Sequence, residues 1–406
     1  MYPAKEKYVM KDKKMTAYFA VVTLFYMAAS FAHPVTPTLI VERELDSSMF
    51  GIALASMMAA SFLFSPFWGR LCGYIPTRRI ILFCSVGYTV GQVIFGAAYS
   101  EWMVVAGRLF AGVFTGGCFT AFSNYVINTS THERRDANLT ALVTIQTVGS
   151  AGGYFVGGML GLLSLKVVFA AQCALLLLCG GLFALVCLDD TPFKARPDRP
   201  LSLRDADPFR AFAEAGRFMT PMLGLLFAVL AVSGVGYNAF EQCFNYYIKD
   251  QFGLSSAYNG TFKILIALLI LLLNSTVCIW LQKKTDIHRT FLPVLGMCTL
   301  LIGALLWFDT LLPFAVLYII YNGVNAIRGP LMQSMAADRS EPDTSNTVMG
   351  FYQAMNSLGS IFGSLLAGLI YKAGPRLPFW LAFAAYALST LLGWAYVQRH
   401  DREKQA

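Results

Sequence analysis

Charge is scarce in this 406-residue sequence: Asp, Glu, Lys and Arg together make up 13% of it. Soluble domains carry about 25%, so this chain cannot furnish a water-facing surface of its size, whereas it can furnish a bilayer-facing one. Histidine is scarce as well, at four residues. The nine cysteines (72, 84, 118, 173, 179, 187, 243, 278 and 298) form no CxxC pair and have no histidine at ligand spacing. They lie in or beside apolar runs, where cysteine behaves as a small hydrophobe. A metal site and a disulfide framework are therefore not expected. Also missing are a Walker A sequence, a Gly-x-Ser-x-Gly elbow and an HExxH pair. Nothing supports ATP-driven transport or hydrolysis, so the chain is read as a non-enzyme without a cofactor.

What the sequence has is apolar length: 56% of its residues are hydrophobic. A span needs about 20 mostly apolar residues. That rule predicts twelve, at 16–41, 49–69, 80–99, 102–127, 139–163, 167–188, 218–248, 257–281, 290–307, 311–335, 347–371 and 377–397. The first is too long for a signal-peptide core and reads as a retained span. Most connections are short. The exception, 189–217, is rich in Pro, Arg and Asp and divides the chain into an N-terminal six-helix half (1–188), a central loop and a C-terminal six-helix half (218–406).

Charge then orients the spans. With both termini inside, 23 of the 31 Lys and Arg fall in inner segments, five in outer loops, and three (Arg108, Lys263 and Arg328) within spans. Such asymmetry is a positive-inside signal. It predicts a multi-pass protein of a cell membrane, plasma or bacterial inner, with cytoplasmic termini. It also accounts for the net charge of +8 without a nucleic-acid partner.

The halves resemble each other weakly. Glu44–Gly51 corresponds to Gly253–Gly260, and Gly149-Ser150, Gly153 and Gly158 correspond to Gly359-Ser360, Gly363 and Gly368, at an offset of 209 to 210 residues. Repeated halves with a midplane site between them are a usual construction of secondary transporters.

Three motifs resemble those of the major facilitator superfamily, and within it the twelve-span drug:proton antiporter group. The loop after the second span, Gly69-Arg-Leu-Cys-Gly73-Tyr-Ile-Pro-Thr-Arg78-Arg79, resembles the Gly-x-Leu-x-Asp-Arg-x-Gly-Arg-Arg signature, with Gly73 where the family has Asp. Span 4 resembles Arg-x-x-x-Gly-x-x-x-Gly through Arg108, Gly112 and Gly116. Span 5 resembles Gly-x-x-x-Gly-Pro-x-x-Gly-Gly through Gly149, Gly153, Gly157 and Gly158, with Tyr154 in place of Pro. The resemblance implies the major facilitator fold and a proton-coupled exporter of small amphipathic or drug-like molecules, working as a monomer by alternating access. Gly69, Arg78, Arg79 and the span 5 glycines would then serve gating or close helix packing. The alternatives are an uptake symporter for a small organic solute on the same fold, or a non-transporting receptor or scaffold.

Ionisable groups inside a span cost about 2.5–3.5 kcal/mol at the centre on insertion scales, so each is informative. Glu241 is the one carboxylate deep in a predicted span and His33 the one histidine; both are assigned to proton coupling. Asn238, Glu241, Gln242 and Asn245 form one polar stripe on span 7, which must face protein or water. The substrate cavity is assigned to Arg108, Gln146, Asn238, Asn245, Asn325 and Arg328. Gln92, Asn124, Gln172, Asn274, Gln353 and Asn356 are further cavity candidates or helix–helix hydrogen bonds. Lys263, near the outer end of span 8, reads as a side chain that snorkels to the headgroups.

Overall fold

A computed structural model describes residues 12–46, 49–191, 209, 212, 214–252, 256–341, 343–371 and 373–405. Most of the central loop, and much of the basic N-terminal tail, lie outside the described residues. Among the described residues fourteen α-helices follow one another: α1 Asp12–Ala29, α2 Thr36–Glu42, α3 Met49–Tyr74, α4 Thr77–Gly96, α5 Glu101–Thr129, α6 His132–Gly161, α7 Leu165–Val186, α8 Pro221–Asp250, α9 Ser256–Leu273, α10 Ile279–Lys284, α11 Ile287–Leu305, α12 Leu311–Asp338, α13 Ser345–Tyr371 and α14 Leu377–Gln405. Eleven of the described helical spans are long and apolar enough to cross a membrane. No strand occurs among the described residues.

Local chemistry explains the ends. Ser100, Ser164 and Thr220 each accept a hydrogen bond from the backbone N–H three residues on, capping α5, α7 and α8. Pro221 follows its cap at the first helical position, where a missing N–H costs nothing. Along α4, Leu82, Phe83, Val86, Val90 and Val93 are all exposed at helical spacing. On α9 the same holds for Ile264, Leu265, Leu268, Leu271 and Leu272. Exposed apolar stripes on helices long and apolar enough to span a bilayer are suited to face lipid.

Two predicted spans are interrupted. The first is not one helix: α1 ends at Ala29 and α2 starts at Thr36, with a turn from 30 to 35 between them. Pro34 has no N–H to give to Ser30, which breaks the ladder there. The eighth passes from α9 through a π-helical turn, Asn274–Cys278, into α10.

By contacts the chain forms two compact units. One is Met1–Phe218 with Ser340–Ala354; the other is Met219–Arg339 with Met355–Ala406. Residues 340–354 thus group with the first unit, although the sequence boundary places them in the second half.

Within each unit the same helix pair closes tightly. In the first, a Cβ added at Gly149 would lie 2.8 Å from Thr23 O, and one at Gly153 2.8 Å from Ser30 Cβ. In the second, a Cβ at Gly359 would lie 2.8 Å from Ala231 O, and one at Gly363 2.6 Å from Val235 O. Span 5 therefore lies on span 1 as span 11 lies on span 7, backbone against backbone. A second parallel caps helix ends: Arg43 donates to Gly96 O and Ala98 O, and Arg376 to Leu306 O and Phe308 O. The acceptors are again 210 residues apart. Gly158 does not share in the close packing, because a Cβ there would meet only Pro34 Cβ at 4.0 Å.

Candidate transport site

Each unit encloses its own polar cluster. In the first, Arg108 on α5 is buried with 4% exposure. Its guanidinium lies over the Phe95 ring of α4 at 3.7 Å and donates to Thr36 Oγ1 of α2 at 3.3 Å. Nε is buried without a partner, and no acid pairs with the group among the described residues. The broken first span builds the rest. Tyr88 OH donates to Ala29 O, and Gln172 Nε2 donates to Ala28 O and Ala29 O. These carbonyls are exposed by the helix end and need such donors. His33, in the turn itself, stacks on Tyr154 with ring centroids 5.4 Å apart and planes 5° apart. Tyr154 occupies the place of the proline in the antiporter signature, so the departure from that motif supplies the partner of His33.

Below this cluster the loop after α3 is anchored to the end of the sixth span. Arg78 forms an ion pair with Asp189 at 3.3 Å, while Arg79 is exposed. Thr77 N donates to Asp190 Oδ1 at 2.8 Å, Thr77 Oγ1 bonds Oδ2, and Asn128 Nδ2 donates to the same oxygen at 2.9 Å. The loop that lacks the family's acid at Gly73 is thus held by two acids elsewhere in the chain, Asp189 and Asp190. At Gly69 an added Cβ would lie 2.6 Å from Asn346 O and 2.9 Å from Gly350 Cα. Asn124 also donates to Asn346 O, so it is a helix–helix bond and not a cavity wall.

In the second unit Glu241 on α8 forms an ion pair through Oε2 with Lys263 Nζ of α9. The side chains are 11% and 36% exposed, and Glu241 Oε1 is buried with no partner. This corrects the reading of Lys263 as a snorkelling side chain. A carboxylate one helix away offers far more than headgroup water to an ammonium in a low-dielectric setting. The buried hydroxyl of Tyr318 on α12 also lies within electrostatic range of Glu241.

Deeper in α12, Arg328 donates from Nε to Asn325 Oδ1 at 2.9 Å and from Nη1 to Ser233 Oγ at 2.7 Å. Tyr386 OH donates to the same Asn325 oxygen at 2.7 Å, and Tyr321 OH donates to Tyr386 OH at 2.9 Å. The helix runs unbroken through Gly329-Pro330. Sequence reasoning found Arg328 and Asn325 but missed Ser233, Tyr321 and Tyr386. The available signal was that a buried tyrosine hydroxyl almost always has a partner. Of the remaining candidates, Asn238 bonds Gly234 O on its own helix and Gln146 is exposed. The side chain of Asn245 lies outside the described residues.

No group of three or more metal-ligating side chains occurs among the described residues. The arrangement is that of two buried clusters, each with a cation, and one with a titratable carboxylate whose second oxygen is unused.

Comparison with known proteins gives the family. A tetracycline resistance protein, class C, from Escherichia coli is 27% identical over 360 residues, covering 87% of this chain and 88% of the relative. Multidrug resistance protein 1 of Bacillus subtilis is 19% identical over 397 residues, covering 95% and 97%. The solved structure of the proton:xylose symporter XylE has a TM-score of 0.76 at 13% identity and covers 97% of this chain and 96% of its own, a likeness of fold. The family model described as Major Facilitator Superfamily matches residues 18–327 and 294–406, and with a helical fold of this kind the chain belongs to the major facilitator superfamily of multi-pass membrane transporters.

Proposed function

We propose that this chain exports small amphipathic, drug-like molecules across a cell membrane in exchange for protons, by alternating access. One observation carries the coupling: the buried Glu241–Lys263 pair with its unused carboxylate oxygen. A buried pair is balanced between attraction and the cost of removing two charges from water. Protonating Glu241 on Oε1 releases Lys263, and losing the proton restores the pair. A change in water access to α8 and α9 tips that balance, so the site takes a proton in one state and gives it up in another. His33, stacked on Tyr154, is the second titrating group of this reading.

Arg108 and the Arg328–Asn325 cluster are proposed to receive polar groups of the substrate, with Asn238, Asn245 and Gln146 along its route. The close contacts at Gly149, Gly153, Gly157 and Gly69 are the surfaces that slide or part, since contacts with no side chain between them repack at little cost. Export rather than uptake is favoured by the relatives, which are named as tetracycline, multidrug and quinolone resistance proteins. Cytoplasmic termini and a monomeric working form complete the reading.

The test is accumulation of tetracycline or a lipophilic dye in everted vesicles under an imposed pH gradient. Accumulation that collapses with a protonophore supports export. Gradient-driven uptake of an organic solute by intact cells, with no accumulation in everted vesicles, would assign the symport direction instead.

A further inference from the structure

The end of α14 and the first turn of α8 enclose a cleft of about 310 Å³ that the transport reading does not use. It lies wholly within the second unit. Three arginines line it: Arg339, just past α12, and Arg399 and Arg402 on α14. Arg339 is already engaged, bonding Glu403 at 2.6 Å and meeting His400 Nδ1 with its other Nη. Glu403, the one acid in the wall, is paired with Arg339 through Oε2. Arg399 and Arg402 are exposed, and neither has an ion-pair or hydrogen-bond partner among the described residues. Three residues apart, they share a helix face. Two adjacent unpaired guanidiniums repel each other, and an anion set between them reverses that term.

The opposite wall is favourable to the same charge. Thr220, Pro221 and Met222 form it, at the start of a 30-residue helix. The positive end of the helix dipole adds to the arginines there. Met222 is almost wholly buried, which leaves an apolar floor beside the charged rim.

Depth identifies the chemistry. The 29 residues of α14 extend about 43 Å, against a hydrocarbon core of about 30 Å. Its last turns must emerge. Trp394, 57% exposed and five residues before Arg399, is placed as an interfacial anchor. The cleft therefore lies at headgroup level, on the surface that the lysine and arginine count assigns to the cytoplasm. Phosphate is the anion of that layer, and the guanidinium fork matches its oxygens bidentately. We propose that the cleft between Arg399, Arg402 and the first turn of α8 binds a phosphate group, presented by an anionic phospholipid headgroup or as free phosphate.

Calorimetric titration of the full chain in neutral detergent tests this with three probes: dioctanoyl phosphatidylglycerol, dioctanoyl phosphatidylcholine and inorganic phosphate. Saturable binding of the glycerol lipid, tighter than that of the choline lipid, is expected. If inorganic phosphate also saturates and displaces the lipid, free phosphate suffices; if it does not bind, the source is lipid. The Arg399→Gln/Arg402→Gln variant should bind roughly 30-fold more weakly. Lys283→Gln/Lys284→Gln removes the same charge from another exposed site and should change affinity less than about twofold. Should the first variant not fold, Arg399→Lys/Arg402→Lys keeps the charge, loses the fork, and should still weaken binding. Equal losses in the two glutamine variants, or no saturable binding of either the glycerol lipid or phosphate to the unaltered chain, would overturn the proposal.

Discussion

Lys263 reaches from α9 to close on one oxygen of Glu241 on α8, and the other oxygen of that carboxylate stays buried and unbonded. The pair is a charge held in place with one position open for a proton. Glu241→Gln should abolish transport driven by a pH gradient yet preserve substrate exchange, since a neutral amide mimics the protonated acid. Lys263→Met leaves the carboxylate without its cation and should cost about 1–3 kcal/mol, less than a fully buried pair because Lys263 is partly exposed. Combining the two substitutions should recover most of that stability. Thermal melts and vesicle assays separate these outcomes, and gradient-driven transport by Glu241→Gln at the normal rate would remove Glu241 from the coupling step.

Arg328→Gln is expected to weaken substrate binding with little loss of folded protein. The amide can still donate to Asn325 or Ser233, so the network of Tyr321 and Tyr386 keeps a partner. A binding titration is the measurement. Unchanged affinity would make Arg328 a structural tie between α8 and α12.

The glycine contacts predict a contrast of position. Gly153→Val drives a side chain into Ser30 and the Met27 carbonyl and should abolish transport, with lower yield of folded protein. Gly368→Ala meets nothing within 4 Å and should be silent, or stabilise α13 by about 0.5–1 kcal/mol. Comparing expression, melting temperature and transport for the two variants checks the assignment.

Asp286, in the turn before α11, ties that turn to α14. Burial pushes its carboxyl up, but hydrogen bonds from Lys404, His400 and the His288 backbone N–H outweigh it and hold the group at about 2, below the ordinary 3.8. A depressed carboxyl contributes stability above its unfolded value and loses it as pH falls towards 2. Asp286→Asn should therefore lower the melting temperature at pH 7, by an amount reflecting about 1 kcal/mol at this partly exposed site. The gap to the unaltered chain should narrow between pH 4 and pH 2. A gap independent of pH would assign the loss to packing.

Topology is open to direct labelling. In a background without the nine native cysteines, a cysteine at Asp198, in the part of the central loop outside the described residues, should be shielded from impermeant thiol reagents in intact cells. One at the exposed Lys166 should react. Reversed labelling would invert the orientation.

The sequence by itself determined the class of this protein. Apolar length, the shortage of charge and the lysine and arginine asymmetry are one-dimensional signals, because a bilayer acts on each span separately. The repeated glycines were legible for the same reason, since spacing along a helix fixes which face they share. Only the tertiary structure decided the partners. Lys263 and Glu241 are 22 residues apart on different helices, and nothing in either span says which faces meet. The break after Ala29, which hands its carbonyls to Tyr88 and Gln172, was hidden because a proline in a long apolar run is compatible with a kink or a stop. Tyr154 on His33, and Asp189 with Asp190 beside Arg78 and Thr77, were hidden likewise. Those contacts join residues that hydropathy treats as unrelated, and side-chain packing between helices is what brings them together.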